Sequence, residues 1–451
     1  MQGLTNMYGE PVVADGKTEL VLYGSPGRVA FSTIGGAAVR GQINTSAKHF
    51  AVIGTQLYQI NSDGTNSALG EIEGTEQVDM AYNGQQVTIV AELKSYTYDV
   101  STLTRAEITD GDFVQASSCT ALASYSIFAR KGTGQFAWSS LLDATAYDPL
   151  DFATAEGEAD NIVAIRRRGN EIVPLGSNST EVWGLTGDSS APFQRVSTAA
   201  VTIGCVARDS AVLVDNALMW VGRDGMAGGV SVYRMEGYVP KKISDPHVDG
   251  YLESVDSITE LRAFTYQQAG HQFYVLTHPN EWTLAWDVLT QQWSYRKSGN
   301  FTMGAEPTGG WDARTYALNG SKQIVGSDDG NLYQLDLDTL TDAGSALVRE
   351  CTTPTLFSGG DFVSLDRLTL EIQSGVGLVS GQGSAPVVQM AYSKDGGNTW
   401  SSPRTASMGA IGQYKYRCFW TRLGRAKDMM IKFRVTDPVP TVFLTAYADV
   451  S

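Results

Sequence analysis

The chain has 451 residues, room for three average domains or two large all-β ones. Only 18 % of them are charged, 42 % are hydrophobic and 48 are glycine, a surplus that suits many tight turns. Acidic residues outnumber basic ones 48 to 33, giving a net charge of −15, which excludes a protein that wraps nucleic acid. Such a chain can still line a passage along which DNA slides without sticking.

The N-terminus, MQGLTNMYGE, has neither a basic region nor an apolar one, so no signal peptide is expected there. No apolar run approaches 18 residues, so no membrane span is expected. The four cysteines at 119, 205, 351 and 418 form no C-x-x-C pair. They do not make a disulfide framework or a zinc site, and read as single buried thiols. The four histidines, His49, His247, His271 and His278, show no metal-ligand spacing. No cofactor is expected.

Helical periodicity is nearly absent. The best helical candidate is Val255–Leu261, after a break at Asp245–Pro246. Elsewhere one pattern returns: an apolar strand, a Gly/Ser/Asp turn, and a strand ending in an aromatic residue. The aromatics are Tyr58, Tyr98, Trp138, Trp183, Tyr233, Trp286 and Tyr333, at spacings of about 40–50 residues, the length of a four-stranded propeller blade. One blade cannot bury its own sheet faces, and an aromatic residue can fill the space between neighbours. Seven copies predict an all-β fold, a seven-bladed β-propeller over residues 1–345, with TELVLYG (18–24) as the closing N-terminal strand. A stacked sandwich is the alternative arrangement.

After Asp342 the rhythm stops. Separate alternating runs follow: FVSLDRLTLEI, PVVQMAYS, YKYRCFWTRLG, MMIKFRVT and PTVFLTAYADV. They predict a C-terminal antiparallel β-sandwich or barrel over residues 346–451. Charge divides at the same place. Residues 346–451 hold 11 basic and 8 acidic residues, net +3, leaving 22 basic and 40 acidic in the first 345, net −18.

Four constellations could carry a function. Ser393, Asp395, Gly397 and Trp400 match the S-x-D-x-G-x-x-W turn of sialidase-like propellers, and SDDGNLY (327–333) makes a similar hairpin. In both the Asp can accept backbone N–H bonds and the Gly can supply a positive φ, so both read as structural turns. The triplet Arg166-Arg167-Arg168, before a turn at Gly169, reads as a solvated strand end or an anion site. The run from Lys415 to Arg434 is the one basic stripe, with Lys415, Arg417, Arg422, Arg425, Lys427, Lys432 and Arg434 against Asp428 alone. Phe419 and Trp420 are interleaved with it. Aromatic plus Arg is interface composition, so Lys415, Arg417, Trp420, Arg422, Arg425 and Lys427 are candidates for docking an acidic partner; an ordinary exposed face is the alternative. No G-x-S-x-G, H-E-x-x-H or phosphate loop appears, and no catalytic residue is assigned.

Several segments carry a resemblance. Asn6-Met7-Tyr8 with Glu10, DNIVAIRRRGNEIVPLGSNSTEVW (160–183), LRAFTYQQAGHQFYVLTHPNEWTLAWDV (261–288) and FWTRLGRAKDMMIKFRV (419–435) are similar to the tail hub, or packaged-DNA stabilisation, family of short-tailed lambdoid bacteriophages. The resemblance implies a structural virion protein of the tail, not an enzyme, assembled in the host cytoplasm. It implies a homo-hexamer beneath the portal and its head–tail adaptor ring, seating tailspikes and a tail needle. Such a hub retains packaged DNA, which passes through it without specific binding during ejection. Two other classes remain open from the residues alone. A sialidase-like glycoside hydrolase requires converging arginines and carboxylates at the propeller mouth. A glycan-binding propeller requires exposed Trp or Tyr in repeated shallow pockets.

Overall fold

The computed structural model describes residues 3–12, 20–46, 48–155, 157–196, 201–225, 228–279, 281–299, 301–303 and 309–451. The chain divides into two compact units, one of residues 30–279 and 313–334, the other of residues 1–29, 280–312 and 335–451. The second unit thus draws segments from both sides of the boundary expected at 345/346.

In the first unit, short antiparallel sheets follow one another along the chain. The first has strands Val39–Asn44, His49–Ile53, Gln56–Ile60 and Asn66–Glu71; later ones begin at Asp79–Tyr82, Ala116–Leu122, Ile162–Arg168 and Ile203–Cys205. The hairpin of Arg262–Gln268 and His271–His278 is the sixth, and Thr315–Asn319 opens the seventh. One inner strand of each touches the next in a closed cycle: Val39–Asn44, Asp79–Tyr82, Ala116–Leu122, Ile162–Arg168, Val212–Val214, Arg262–Gln268, Thr315–Asn319 and back to Val39–Asn44. This is a seven-bladed propeller.

The aromatic markers owe their spacing to this geometry. Tyr58, Tyr98, Trp138, Trp183, Tyr233 and Tyr333 all fall on third strands of their sheets. Tyr98 meets Phe50 of the preceding blade at 5.2 Å between ring centroids, and Trp183 meets Phe136 at 5.1 Å. Such pairs bury large apolar area where one sheet faces the next.

Two expectations need correction. Leu20–Gly24, the described part of TELVLYG, is not the closing strand: it pairs with Met7–Pro11 and with Val442–Val450. The strand beside Leu332–Asp336 in the seventh sheet is Gly27–Ser32. Apolarity marked Leu20–Gly24 as buried without saying in which sheet, and the Gly-led alternation of Gly27–Ser32 drew less notice. The helix also lies earlier than expected, at Pro246–Ser254. Asp245 is its N-cap, accepting from the backbone N–H of His247 at 3.0 Å and Val248 at 2.9 Å, and Pro246 takes the first helical position. The Asp-Pro pair is therefore a start signal rather than a break. Val255 is already extended, and Ile258–Glu260 is only a 3₁₀ turn.

The second unit is a β-sandwich. One sheet runs Trp282–Asp287, Gln292–Tyr295, Gly3–Thr5, Arg349–Thr352, Asp428–Val435, Val387–Ser393, Arg404–Ser407. The other runs Met7–Pro11, Leu20–Gly24, Val442–Val450, Val363–Ile372, Cys418–Thr421. Four of the five runs read from the C-terminal sequence are strands over most of their length; of YKYRCFWTRLG only Cys418–Thr421 is a strand, and residues 414–417 lie in a loop. Leu4, Met7, Leu368, Leu370, Val388, Met390, Ile431 and Phe433 are among the residues of their shared core. Asn6 joins the two sheets. It adopts φ 52°, and its Nδ2 donates to the carbonyls of Lys297 and Val348, each at 2.9 Å, while its Oδ1 accepts from the Lys297 N–H at 3.0 Å.

Candidate functional site

The inner strands of the propeller carry charged residues toward its axis. Asp79 lies on the second and Arg166 on the fourth, with the Ser118 hydroxyl on the third between them, whereas Arg40 on the first is buried against the carbonyls of Gly54, Ile72, Glu73 and Glu76. Arg208 and Asp209 sit on the 3₁₀ turn Arg208–Ser210, Arg262 begins the sixth inner strand, and Arg314 immediately precedes the seventh. Arg166 is thus neither a solvated strand end nor a free anion site. Its Nη1 pairs with Asp79 Oδ2 at 2.7 Å and its Nε donates to the Ala211 carbonyl at 2.7 Å. Arg167 donates to the Gly169 carbonyl and has no salt bridge among the described residues, and Arg168 pairs with Glu171. A strand end predicts exposure only if the strand faces water; this one lines the axis.

At one mouth, Glu76, Glu92, Asp209 and Glu260 with Lys131, Arg208, Arg262 and Arg314 line a cavity of about 820 Å³. Arginines and carboxylates do converge here, the arrangement a sialidase-like reading requires. Their bonding differs from what that chemistry needs. Arg208 grips Asp209 with two nitrogens, at 2.8 and 2.9 Å, and donates to the carbonyls of Ser117 and Gln77. Burial works against the Arg208 charge, but Asp209 overcomes it and holds the guanidinium above its ordinary pKa. Asp79 is likewise buried, yet Arg166 and Arg208 hold it below the usual carboxylate range. Arg314 bonds Asp328 at 2.5 Å and Gln77 at 3.2 Å. Arg262 shares Asp328 at 3.4 Å; burial, and then Arg314 beside it, pulls it down to about 10. The lining contains no tyrosine to act as a nucleophile. Arg208 is bound to Asp209, and Arg262 and Arg314 are bound to Asp328 outside the lining, so the three arginines are engaged within the propeller, while Glu76, Glu92 and Glu260 have no salt bridge among the described residues.

The basic stripe divides in two. Lys415, Arg417, Arg422, Arg425 and Lys427 are exposed, with no salt bridge among the described residues. Lys432 and Arg434 are buried and both pair with Glu350, at 3.1 and 2.5 Å. Trp420 is no surface anchor. It is 3 % exposed, packs in the sandwich core against Phe433, and its Nε1 donates to the Arg404 carbonyl at 3.1 Å. Cys418 and Trp420 alternate inward, which turns Phe419 and Thr421 outward. Exposed aromatics beside the stripe include Phe419, over which Arg367 stacks at 4.4 Å, Phe362, which receives Arg425 at 4.5 Å, and the tyrosines Tyr414 and Tyr416. Alternation alone could have found Phe419, but nothing in sequence said which face was inside.

At the Ser393–Trp400 turn, Asp395 Oδ1 accepts from the Thr399 N–H at 2.9 Å and from Ser393 Oγ at 2.7 Å. These bonds, led by Thr399, pull the carboxylate down to about 2. Gly396 and Gly397 have φ of 72° and 96°, and Trp400 lies half-buried beneath Lys432 Nζ at 4.5 Å. In the second hairpin Asp329 accepts from the Asn331 N–H and from Tyr333 Oη. All four cysteines are free and buried, and no group of metal-ligating side chains occurs among the described residues. No helix among them is long and apolar enough to cross a membrane.

Residues 4–340 match the family described as bacteriophage P22 Gp10, β-propeller, and residues 348–451 match bacteriophage P22 Gp10, β-sandwich. The chain belongs to this Gp10 family. It is a structural protein of the phage virion. No curated protein matches it. Among solved structures it is similar to the computationally designed Ika8 protein, at 16 % identity over 74 % of this chain and all of that one, TM-score 0.39. It is also similar to the N-terminal domain of Nup159, at 9 % identity over 74 % of this chain and 99 % of that one, TM-score 0.42. A third is the extracellular domain of the putative one component system BT4673 from B. thetaiotaomicron, at 7 % identity over 69 % and 40 %, TM-score 0.45.

Proposed function

We propose that this Gp10-family chain is the tail hub of a short-tailed phage. In this reading it assembles in the host cytoplasm as a hexamer, docks beneath the head–tail adaptor ring, seats tailspikes and carries the tail needle. It retains packaged DNA and forms part of the ejection channel. Family membership across both parts of the chain carries this reading. The charge division supports it: an acidic body resists adhesion of a sliding duplex, while the exposed cations of the sandwich supply contacts to acidic neighbours. Bonded side chains cross the propeller's own axis, so the DNA passage in this reading runs between copies. The test is complementation: particles assembled without the chain should package DNA and then lose it, and should lack spikes. Stable, DNA-filled, spiked particles without it would sink the proposal.

One observation favours a second reading, an anionic-glycan hydrolase at the propeller mouth: the Arg and carboxylate side chains gathered there. Arg208 is held by Asp209, and Arg314 and Arg262 share Asp328, which argues against it. Purified protein should not turn over a sialoside. Turnover abolished by Glu76→Gln or Glu260→Gln would reinstate the enzyme.

A further inference from the structure

Residues 373–427 hold seven basic residues and a single acid, Asp395. Two loops from this stretch meet at one end of the sandwich. The Gly412 N–H donates to the Gly375 carbonyl at 3.1 Å, and a Cβ on Gly375, at φ 78°, would fall 2.8 Å from the Tyr414 ring, so glycine is what seats that tyrosine. The paired loops expose Val379 (86 %), Tyr414 (74 %), Ile411 (57 %) and Tyr416, with Lys415 and Arg417 between and beside the tyrosines. Monomeric proteins seldom gather this much apolar and aromatic surface in one place, and tyrosines on glycine-rich loops are typical of binding tips.

The third blade carries the opposite surface. Residues 132–165 contain six acidic residues and no basic one. Here the loop after Trp138 exposes Leu141, Leu142 and Leu150 beside Asp148 and Asp151. It packs on the preceding inter-blade loop through Tyr147, whose ring lies 5.0 Å from Phe113; that loop adds the exposed Asp112. None of these three carboxylates has a salt bridge among the described residues. Burial, and then Asp148 nearby, raises the Asp151 pKa, as expected where acids crowd without a cation.

We propose that the basic, tyrosine-bearing end of the sandwich in one copy docks on the acidic, leucine-bearing loops of the third blade in a second copy. Charge complementarity and matched apolar centres identify the partner as this same chain. The contact is head-to-tail, using two different patches, so repeated around an axis it builds a ring. It rests on the oligomeric hub read above and names the surfaces that hub would use.

The test is sedimentation of the full chain at low and high salt. Wild type should self-associate at low salt and disperse at high salt, because these contacts are screened. Lys415→Glu with Arg417→Glu should weaken self-association about tenfold or more, and so should Asp112→Lys with Asp148→Asn, with melting curves unchanged in both. Mixing the two variants should yield a one-to-one dimer and nothing larger, since each keeps one competent patch. The proposal is overturned if wild type stays monomeric, if either variant assembles like wild type, or if the mixture forms no dimer. It is also overturned if the variants lose only the binding of another virion protein. Incorporation of wild type into particles tests the hub separately, so a hub built through other surfaces would still be recognised.

Discussion

Arg166 Nη1 stands 2.7 Å from Asp79 Oδ2, joining the fourth blade to the second. Ser118 of the third blade bonds both, at 2.6 Å to Asp79 and 2.9 Å to Arg166. Three blades thus meet at one ion pair. Asp79→Ala would leave Arg166 without its carboxylate and remove a negative charge near Arg208, which keeps Asp209. Breaking one side of such a buried pair costs on the order of 3 kcal/mol. Denaturant titration should register that loss, and Arg166→Met in the same chain should restore part of it. No loss in the single variant would mean that water replaces the pair.

His49 supplies a pH dependence. Asn319 Nδ2 donates to its Nδ1 at 3.3 Å, which leaves Nε2–H to donate to Gln42 Oε1 at 3.0 Å, so the ring is held neutral. Burial pulls its pKa down to about 4 from 6.5. Between those values the unfolded chain binds a proton that the folded chain does not. Stability is therefore lost as pH falls from about 6.5 to about 4, and the His49 contribution then levels off. The full effect is on the order of 3 kcal/mol. His49→Gln should flatten the urea midpoint across that window; an unchanged slope would assign the acid sensitivity elsewhere.

Much of this fold was legible because propeller blades repeat. Period and aromatic position gave seven copies, since every third strand meets the same packing demand. Individual strand partners were less legible. Leu20–Gly24 and Gly27–Ser32 are both plausible closing strands until register is known, and register depends on contacts hundreds of residues away. The same limit applies to the site. The exposed cations were visible as charge, but the burial of Trp420 and of Arg434 depends on which way each strand faces. The axial cluster was missed because Asp79, Arg208, Arg262 and Arg314 are scattered singly through the sequence. A signal existed nonetheless: each lies within a few residues of where an inner strand begins.

Asn6, part of the segment that resembles the phage family, has a structural rather than a contact role. It is 1 % exposed, and its side chain makes three bonds to backbone groups. Asn6→Gly keeps the positive φ and removes the bonds; Asn6→Ala loses both. Each buried backbone group left unsatisfied costs about 1–3 kcal/mol. Thermal melts should rank wild type above Asn6→Gly and Asn6→Gly above Asn6→Ala. Equal melting temperatures would make the conformation, and the bonds, incidental.

The basic stripe gives the sharpest contrast. Arg422 and Arg425 are exposed, and the Arg425 guanidinium lies over the ring of Phe362 with no salt bridge among the described residues. Replacing both by Glu should change stability by no more than about 0.5 kcal/mol. Lys432 and Arg434 flank Glu350 on the face of the sheet opposite the shared core, buried beside Trp400 and Phe301, so Arg434→Glu sets two carboxylates together where water is scarce. That variant should unfold at much lower denaturant, by several kcal/mol. The two must therefore fail differently. Arg434→Glu should lose soluble protein, whereas the Arg422, Arg425 double variant should accumulate as folded protein and still fail to enter particles, which would then leak their DNA. Arg favours such docking because its planar fork pairs with carboxylates through two bonds. Phe419 and Phe362, not Trp420, supply the aromatic surface beside it. Counting hub protein and retained DNA in purified particles measures the outcome. Normal incorporation of the double variant, with full genome retention, would reduce these arginines to solvated surface charges.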